Sequence, residues 1–133
     1  MKIQIIIPFI VFTLTLFNGC RSKSPQPHHV SSTQTGIASY YGSQWHGRQT
    51  ASGERMDVHA LTAAHRTLPF GTKVRVTLLS TGRSVIVRIN DRGPFVSGRI
   101  IDLADEAARR IGLMERGIGQ VRVEVLDQPQ ILK

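Results

Sequence analysis

The sequence predicts a small, mainly β domain closed into a barrel, with one short helix. That prediction rests on three features. Lys73–Leu78 and Ser84–Asn90 alternate apolar and polar residues on either side of Ser80-Thr-Gly82, a hairpin pattern. Gln120–Leu126 is another alternating run, near the end of the chain. Six short strand-like segments and one helical stripe fill roughly ninety residues, and closing such a sheet leaves few edges exposed.

In chain order, Gly36–Gly42 reads as a short strand bounded by glycines. Ser43–Asp57 is polar, irregular and long for a small domain, and such segments more often carry function than idle. Leu61–His65 is a short strand and Leu68-Pro-Phe-Gly71 a turn. Val74, Val76 and Leu78 point inward from the first hairpin arm. In the second arm Val85, Val87 and Ile89 alternate with Ile86, Arg88 and Asn90. Gly93-Pro94 breaks that arm just after Asn90-Asp91. Arg99–Ile101 is the next strand. Asp102 is then expected to N-cap a helix, with Asp105 at N3 and Glu106 favouring the dipole. Its stripe is Leu103, Ala104, Ala107, Ala108 and Ile111; Arg109 and Arg110 suit its last turn, and Gly112 stops it. No internal repeat is present.

Residues 1–19 read as a lipoprotein signal peptide, 20–35 as a lipidated flexible linker, 36–127 as the barrel and 128–133 as a tail. Lys2 precedes an apolar run ending at Phe17, shorter than a spanning helix needs. Leu16-Phe-Asn-Gly-Cys20 resembles a bacterial lipobox, in which the Cys is acylated on sulfur. Gly19 and Cys20 fit that pattern, whereas Phe17 and Asn18 match it loosely. The alternative is an ordinary signal peptide with an incidental Cys, or an uncleaved anchor. Several acyl chains on one residue suffice for stable anchoring. Arg21 follows the Cys instead of an inner-membrane-retaining Asp, which favours an outer-membrane lipoprotein facing the periplasm if the cell is Gram-negative. Arg21–Thr35 holds Ser, Pro, Gln and Thr and little that can offset the entropy of ordering.

Seventeen Lys+Arg against nine Asp+Glu give a formal charge of +8, and hence affinity for polyanions. No basic block or nucleic-acid motif accompanies that charge, so no nucleic-acid partner is expected. The lone Cys excludes an internal disulfide. His28-His29 lack further ligands, and His46, His59 and His65 have no recognised metal spacing, so neither metal nor cofactor is expected.

Asp91 stands between Arg88 and Arg92 at the mouth of a strand that cannot continue. One reading is a turn in which its carboxylate caps backbone N–H groups. The other is an acid held out for chemistry.

Several ordered blocks bear on that choice. They are Gly36-x-Ala-Ser-Tyr-Tyr-Gly42, His46-Gly47, Thr50-Ala-Ser-Gly-Glu54, Leu61-Thr-Ala-Ala-His65, Leu68-Pro-Phe-Gly-Thr72, Val87-x-Ile-Asn-Asp-Arg-Gly-Pro-Phe95 and Arg99-x-Ile-Asp-Leu103. The chain resembles the rare lipoprotein A family over nearly all of residues 36 to 126. The resemblance implies a six-stranded double-psi β-barrel, the fold of barwin, expansins and the barrel of some membrane-bound lytic transglycosylases. It implies a lytic transglycosylase that cleaves the MurNAc-GlcNAc β-1,4 bond of peptidoglycan, prefers strands without stem peptides and forms 1,6-anhydroMurNAc ends. It places an acid at Glu54, a His at His65 and an Asp at Asp91. Many members also carry a C-terminal domain that binds denuded glycan. This sequence ends at Lys133, so the expectation is a chain lacking that domain, and septal targeting is not implied. The alternative function is a non-catalytic, expansin-type glycan-binding lipoprotein, because a fold alone does not decide catalysis.

Within that reading, one carboxyl can serve as acid and then base, because the sugar's own C6 hydroxyl is the nucleophile. Asp91 is the candidate. If Arg88 or Arg92 pairs with it, it becomes a structural ion pair. Glu54 is either the acid, a substrate ligand or an exposed loop charge. His65 either orients Asp91 by a hydrogen bond or is structural. Tyr41 and Trp45, with Tyr40, stack on sugars or fill core. Arg48, Arg88 and Arg92 can meet muramyl carboxylates. The expected partners are peptidoglycan strands and, through Cys20, a membrane; the expected state is a monomer.

Overall fold

The structure is a computed structural model that describes residues 29–129, with Gln4 and Gly19 as isolated positions. The signal peptide's other residues, Cys20, residues 21–28 of the expected linker and residues 130–133 lie outside the described residues.

The strands are β1 (Ser32–Tyr40), β2 (Thr62–His65), β3 (Lys73–Leu78), β4 (Ser84–Asp91), β5 (Arg99–Leu103) and β6 (Gly119–Asp127). The helix α1 (Asp105–Ile111) lies between β5 and β6 in sequence. The strands close into a barrel in the order β1-β5-β2-β4-β3-β6. The predicted hairpin is present, with Val76 opposite Val85 and Thr77 opposite Ser84. Two pairs, β1 with β5 and β2 with β4, are parallel. The irregular Ser43–Asp57 segment joins β1 to β2 and the Gly93–Gly98 loop joins β4 to β5, strands that are not neighbours in the barrel, so each connection passes over the strand between them.

The alternation in β3, β4 and β6 sends Val74, Val76, Leu78, Val85, Val87, Ile89, Val121, Val123 and Val125 into one core with Ile101 and Leu103. Each fully buried Val, Leu or Ile contributes about 1.5–3 kcal/mol, the main force holding so short a sheet closed. Ala107, Ala108 and Ile111 bury the inner face of α1 against that core.

The end of β4 departs from simple alternation. Strict period-2 spacing would put Asp91 on the core face with Val87 and Ile89. The β2–β4 register pairs Ala63 with Ile89 but Ala64 with Asp91, so Asn90 is the extra residue of a bulge. Ile89 and Asn90 are both buried, and Asp91 emerges half-buried at the barrel's end.

Two expectations are corrected. The linker does not extend to residue 35, because β1 begins at Ser32 and pairs with β6 from Ser32 opposite Val125 to Ala38 opposite Gly119. That ladder needs only backbone groups, so the polar side chains of Ser32–Thr35 do not prevent it. Nor does Asp102 cap the helix. It lies within β5 and accepts hydrogen bonds from Ser39 Oγ (2.6 Å) and Arg99 Nη2 (2.7 Å). Ala104 is the N-cap, without a side-chain capping bond. Asp105, in the first turn, instead accepts from Gly42 N at 2.8 Å and ties the helix start to the end of β1. Gly112 closes the helix in the left-handed conformation, as expected.

Candidate active-site cleft

A cleft of about 330 Å³ opens where β1, β4 and β5 end, and Asp91 and Tyr41 line it together with Trp45, Arg48 and Arg92. Asp91 reaches it because of the bulge at Asn90. Its Oδ2 accepts from the Tyr41 hydroxyl at 2.6 Å. Its Oδ1 accepts from the backbone N–H groups of Ala51 and Arg92, both at 2.8 Å. All three donors are neutral.

The flanking arginines are engaged elsewhere. Arg88 makes a two-pronged ion pair with Glu54, Nη1 to Oε1 at 2.6 Å and Nη2 to Oε2 at 3.0 Å. Arg92 donates from Nη1 to the carbonyls of Leu68 (2.9 Å) and His65 (3.3 Å), and its guanidinium carbon lies 4.0 Å from the centre of the Phe70 ring. The ion pair that would have made Asp91 purely structural therefore forms with Glu54. The capping reading is also present in the geometry, since Asp91 tethers Ala51 of the long irregular segment.

Tyr41 is held by its backbone N–H to Leu103 O at 3.1 Å. Burial, and then the bond to the Asp91 carboxylate, push its hydroxyl well above the ordinary tyrosine range. It therefore stays a donor. Trp45 meets the Tyr41 ring edge-on at 6.4 Å and is 44% exposed. The Arg48 guanidinium sits 5.1 Å above the Trp45 ring.

Glu54, Arg88 and His65 do not line this cleft. Thr50 holds the Glu54 turn closed, its N–H and its hydroxyl both donating to Glu54 O at 2.7 and 2.8 Å. The Arg88 guanidinium first, and Asn90 Nδ2 at 3.1 Å second, keep the Glu54 carboxyl below the usual carboxylate range. His65 is buried at the end of β2, and the hydrogen bonding assigns its tautomer. Nδ1 accepts from the N–H groups of Thr67 and Leu68, both at 3.1 Å, and Nε2 donates to Gln34 Oε1 at 3.1 Å. Of the two readings of His65 the geometry fits the structural one: the ring shapes the turn, and its hydrogen bonds go to Gln34, Thr67 and Leu68 instead of Asp91. Desolvation, and then the charges of Arg92 and Arg66, hold its pKa below the ordinary histidine value. His65 lines a separate, smaller pocket of about 160 Å³ with Gln34 and Arg66.

The sequence reading missed Ser39, Arg99 and Asp102. Arg99 Nη2 bonds both Ser39 Oγ and Asp102 Oδ1, and Arg99 and Asp102 both line the cleft. Asp102 reads as a cap by local pattern, and Ser39 and Arg99 stand in the resemblance blocks with no role attached to them. Phe95 also lines the cleft; it closes one of the resemblance blocks as an apolar residue directly after a turn, with no periodic pattern to bury it. Among the described residues, no group of three or more His, Cys, Asp or Glu side chains could hold a metal.

Residues 33–123 match the family model described as lytic transglycolase. A probable endolytic peptidoglycan transglycosylase RlpA from Synechocystis sp. is 62% identical over 91 residues, covering 68% of this chain and 28% of that protein. The endolytic peptidoglycan transglycosylase RlpA of Neisseria meningitidis serogroup A is 50% identical over 101 residues, covering 76% and 42%. That of Pseudomonas aeruginosa strain UCBPP-PA14 is 54% identical over 95 residues, covering 71% and 28%. The chain thus spans well under half the length of these relatives. Among solved structures, the Streptomyces papain inhibitor aligns at 21% identity with a TM-score of 0.58, over 74% of this chain and 97% of that one. The apo expansin of Clavibacter michiganensis aligns at 24% and 0.58, over 74% and 52%. At such identities the likeness concerns the fold, and the barrel is the predicted six-stranded double-psi β-barrel.

Proposed function

The chain belongs to the lytic transglycolase family, and on that premise we propose that it cleaves the β-1,4 bond between MurNAc and GlcNAc in peptidoglycan glycan strands, forming 1,6-anhydroMurNAc ends. The names of the relatives support the reaction class, over the barrel that they share with this chain. The observation that carries the proposal is the Asp91 carboxylate: it lies in the larger cleft and is engaged by neutral donors instead of a guanidinium.

Oδ1 of Asp91 is fixed by two backbone N–H groups, which leaves Oδ2, shared with the Tyr41 hydroxyl, to exchange a proton. In the first half of the reaction Asp91 protonates the departing GlcNAc O4 as the MurNAc C1–O4 bond breaks through an oxocarbenium-like state. The MurNAc O6 attacks C1, and the Asp91 carboxylate takes the O6 proton. Asp91 ends as it began, and no water needs to be positioned. Trp45 and Tyr41 supply ring surface for sugar, and Arg48 and Arg92 supply positive charge for muramyl carboxylates, which strands without stem peptides leave free. Glu54 and Arg88 hold the irregular segment to β4, and His65 shapes the turn whose carbonyls receive Arg92. In this reading Cys20 carries the lipid and places the protein in the cell envelope.

The test is mass spectrometry of the products from peptide-free glycan strands. The protein is expected to release fragments with 1,6-anhydro ends, and Asp91→Asn to release none. Undiminished product from that variant removes Asp91 from the role. A non-catalytic glycan-binding role is the second reading, favoured by the structural tether between Asp91 and Ala51. Retention on sacculi without release of soluble fragments selects it.

A further inference from the structure

Phe95 is 81% exposed, an unusual position for a large apolar ring in a domain with few aromatics. Beside it Val96 is 52% exposed, and both line the cleft that also contains Trp45. The ring folds back over Gly93, where an added Cβ would lie 3.6 Å from Phe95 Cε2. Gly93 has φ +122°, a conformation that other residues rarely adopt.

The loop behind Phe95 is held from below. Arg66, just past the end of β2, donates from Nε to Pro94 O at 2.5 Å and from Nη2 to Val96 O at 2.9 Å and Arg99 O at 3.2 Å. One planar guanidinium thus binds carbonyls on both sides of Phe95. Arg66 does not line the cleft itself.

We propose that Phe95 is a sugar-stacking residue, forming with Trp45 a pair of aromatic lips around the Asp91 cleft, and that Arg66 is the positioning residue that holds it there. Successive sugars of a β-1,4-linked strand present opposite faces, which suits two lips better than one platform. The proposal rests on the glycan reading of the cleft but not on bond cleavage.

The probe is a set of soluble peptide-free glycan strands, with binding and product release measured separately. Phe95→Ala is expected to weaken binding on the order of tenfold, with thermal stability unchanged because the ring is exposed. Phe95→Trp is expected to retain binding. Arg66→Ala is expected to weaken binding less, Arg66→Lys to recover part of the loss, and Arg66→Ala to add little in the Phe95→Ala background. Wild-type affinity in Phe95→Ala overturns the stacking role. Full additivity of the two losses overturns the positioning role. A protein that binds strands through Phe95 but releases no anhydro ends leaves this inference standing and removes the catalytic one. A protein that binds no strands removes both.

Discussion

Asp91 and Glu54 are both carboxylates near the end of β4, yet they occupy opposite electrostatic settings. Glu54 is gripped by the Arg88 fork, with the two side chains 44% and 40% exposed. Asp91 is held by a phenol hydroxyl and two backbone N–H groups, and faces a cleft. A guanidinium matches a carboxylate through two parallel bonds, so an arginine near two acids goes to the one that it reaches with its fork intact. Arg88 and Asp91 stand on either side of the bulge at Asn90, and each carboxylate and guanidinium there has its own partner. Arg88 meets Glu54 across the surface, and Asp91 is left to neutral partners. At such exposure the pair contributes about 0–1 kcal/mol, so its main effect is to pin the irregular segment that carries Trp45, Arg48 and Ala51.

The contrast predicts a ranking. Asp91→Asn is expected to lower the yield of anhydro ends by about 10²–10⁴-fold while the melting temperature changes little, because the amide keeps the size and one acceptor oxygen. Chromatography of the digested strands reads the first quantity and calorimetry the second. Tyr41→Phe removes the one side-chain donor that Asp91 Oδ2 has among the described residues, and is expected to reduce kcat about tenfold with little change in KM. A larger rise in KM than fall in kcat would assign the hydroxyl to substrate binding instead of to Asp91. Glu54→Gln weakens the pin without touching the cleft, so kcat/KM is expected to fall roughly threefold, mostly through KM. If Glu54→Gln destroys activity as fully as Asp91→Asn in a folded protein, the two carboxylates are not distinct in role.

The smallest expected effect concerns pH. The fold holds His65 below its ordinary pKa of 6.5, so as pH falls the unfolded chain takes up that proton first. The stability that the neutral ring contributes is complete above about pH 6.5 and fades below it, until the folded-state pKa is passed. Melting curves between pH 5 and pH 8 are expected to show this slope, and His65→Gln to flatten it. An unchanged slope in the variant would assign the effect to other groups. His65 separates cleanly from Asp91 here, since its ring partners are Gln34, Thr67 and Leu68.

The strands were legible in the chain to the extent that they alternate. β3, β4 and β6 have one face in the core and read clearly. The start of β1 did not, because Ser32–Thr35 is polar throughout and is ordered by its ladder to β6. Asp102 looked like a helix cap because an acid before an apolar stripe usually is one. Its place in β5 depends on Ser39 and Arg99, and Ser39 lies far away in sequence. Asp91, Tyr41, Trp45, Arg48 and Arg92 do gather at one cleft, whereas Glu54, Arg88 and His65 do not line it.

The order of residues alone determined the β-rich barrel, the hairpin, the helix stop at Gly112 and the acid at the break in β4, because period, turn chemistry and glycine conformation are local properties. Which arginine meets which carboxylate was decided only in three dimensions. Ion pairing depends on distances of a few ångströms between side chains, and Glu54 comes within 2.6 Å of Arg88 only because the irregular segment folds back onto β4.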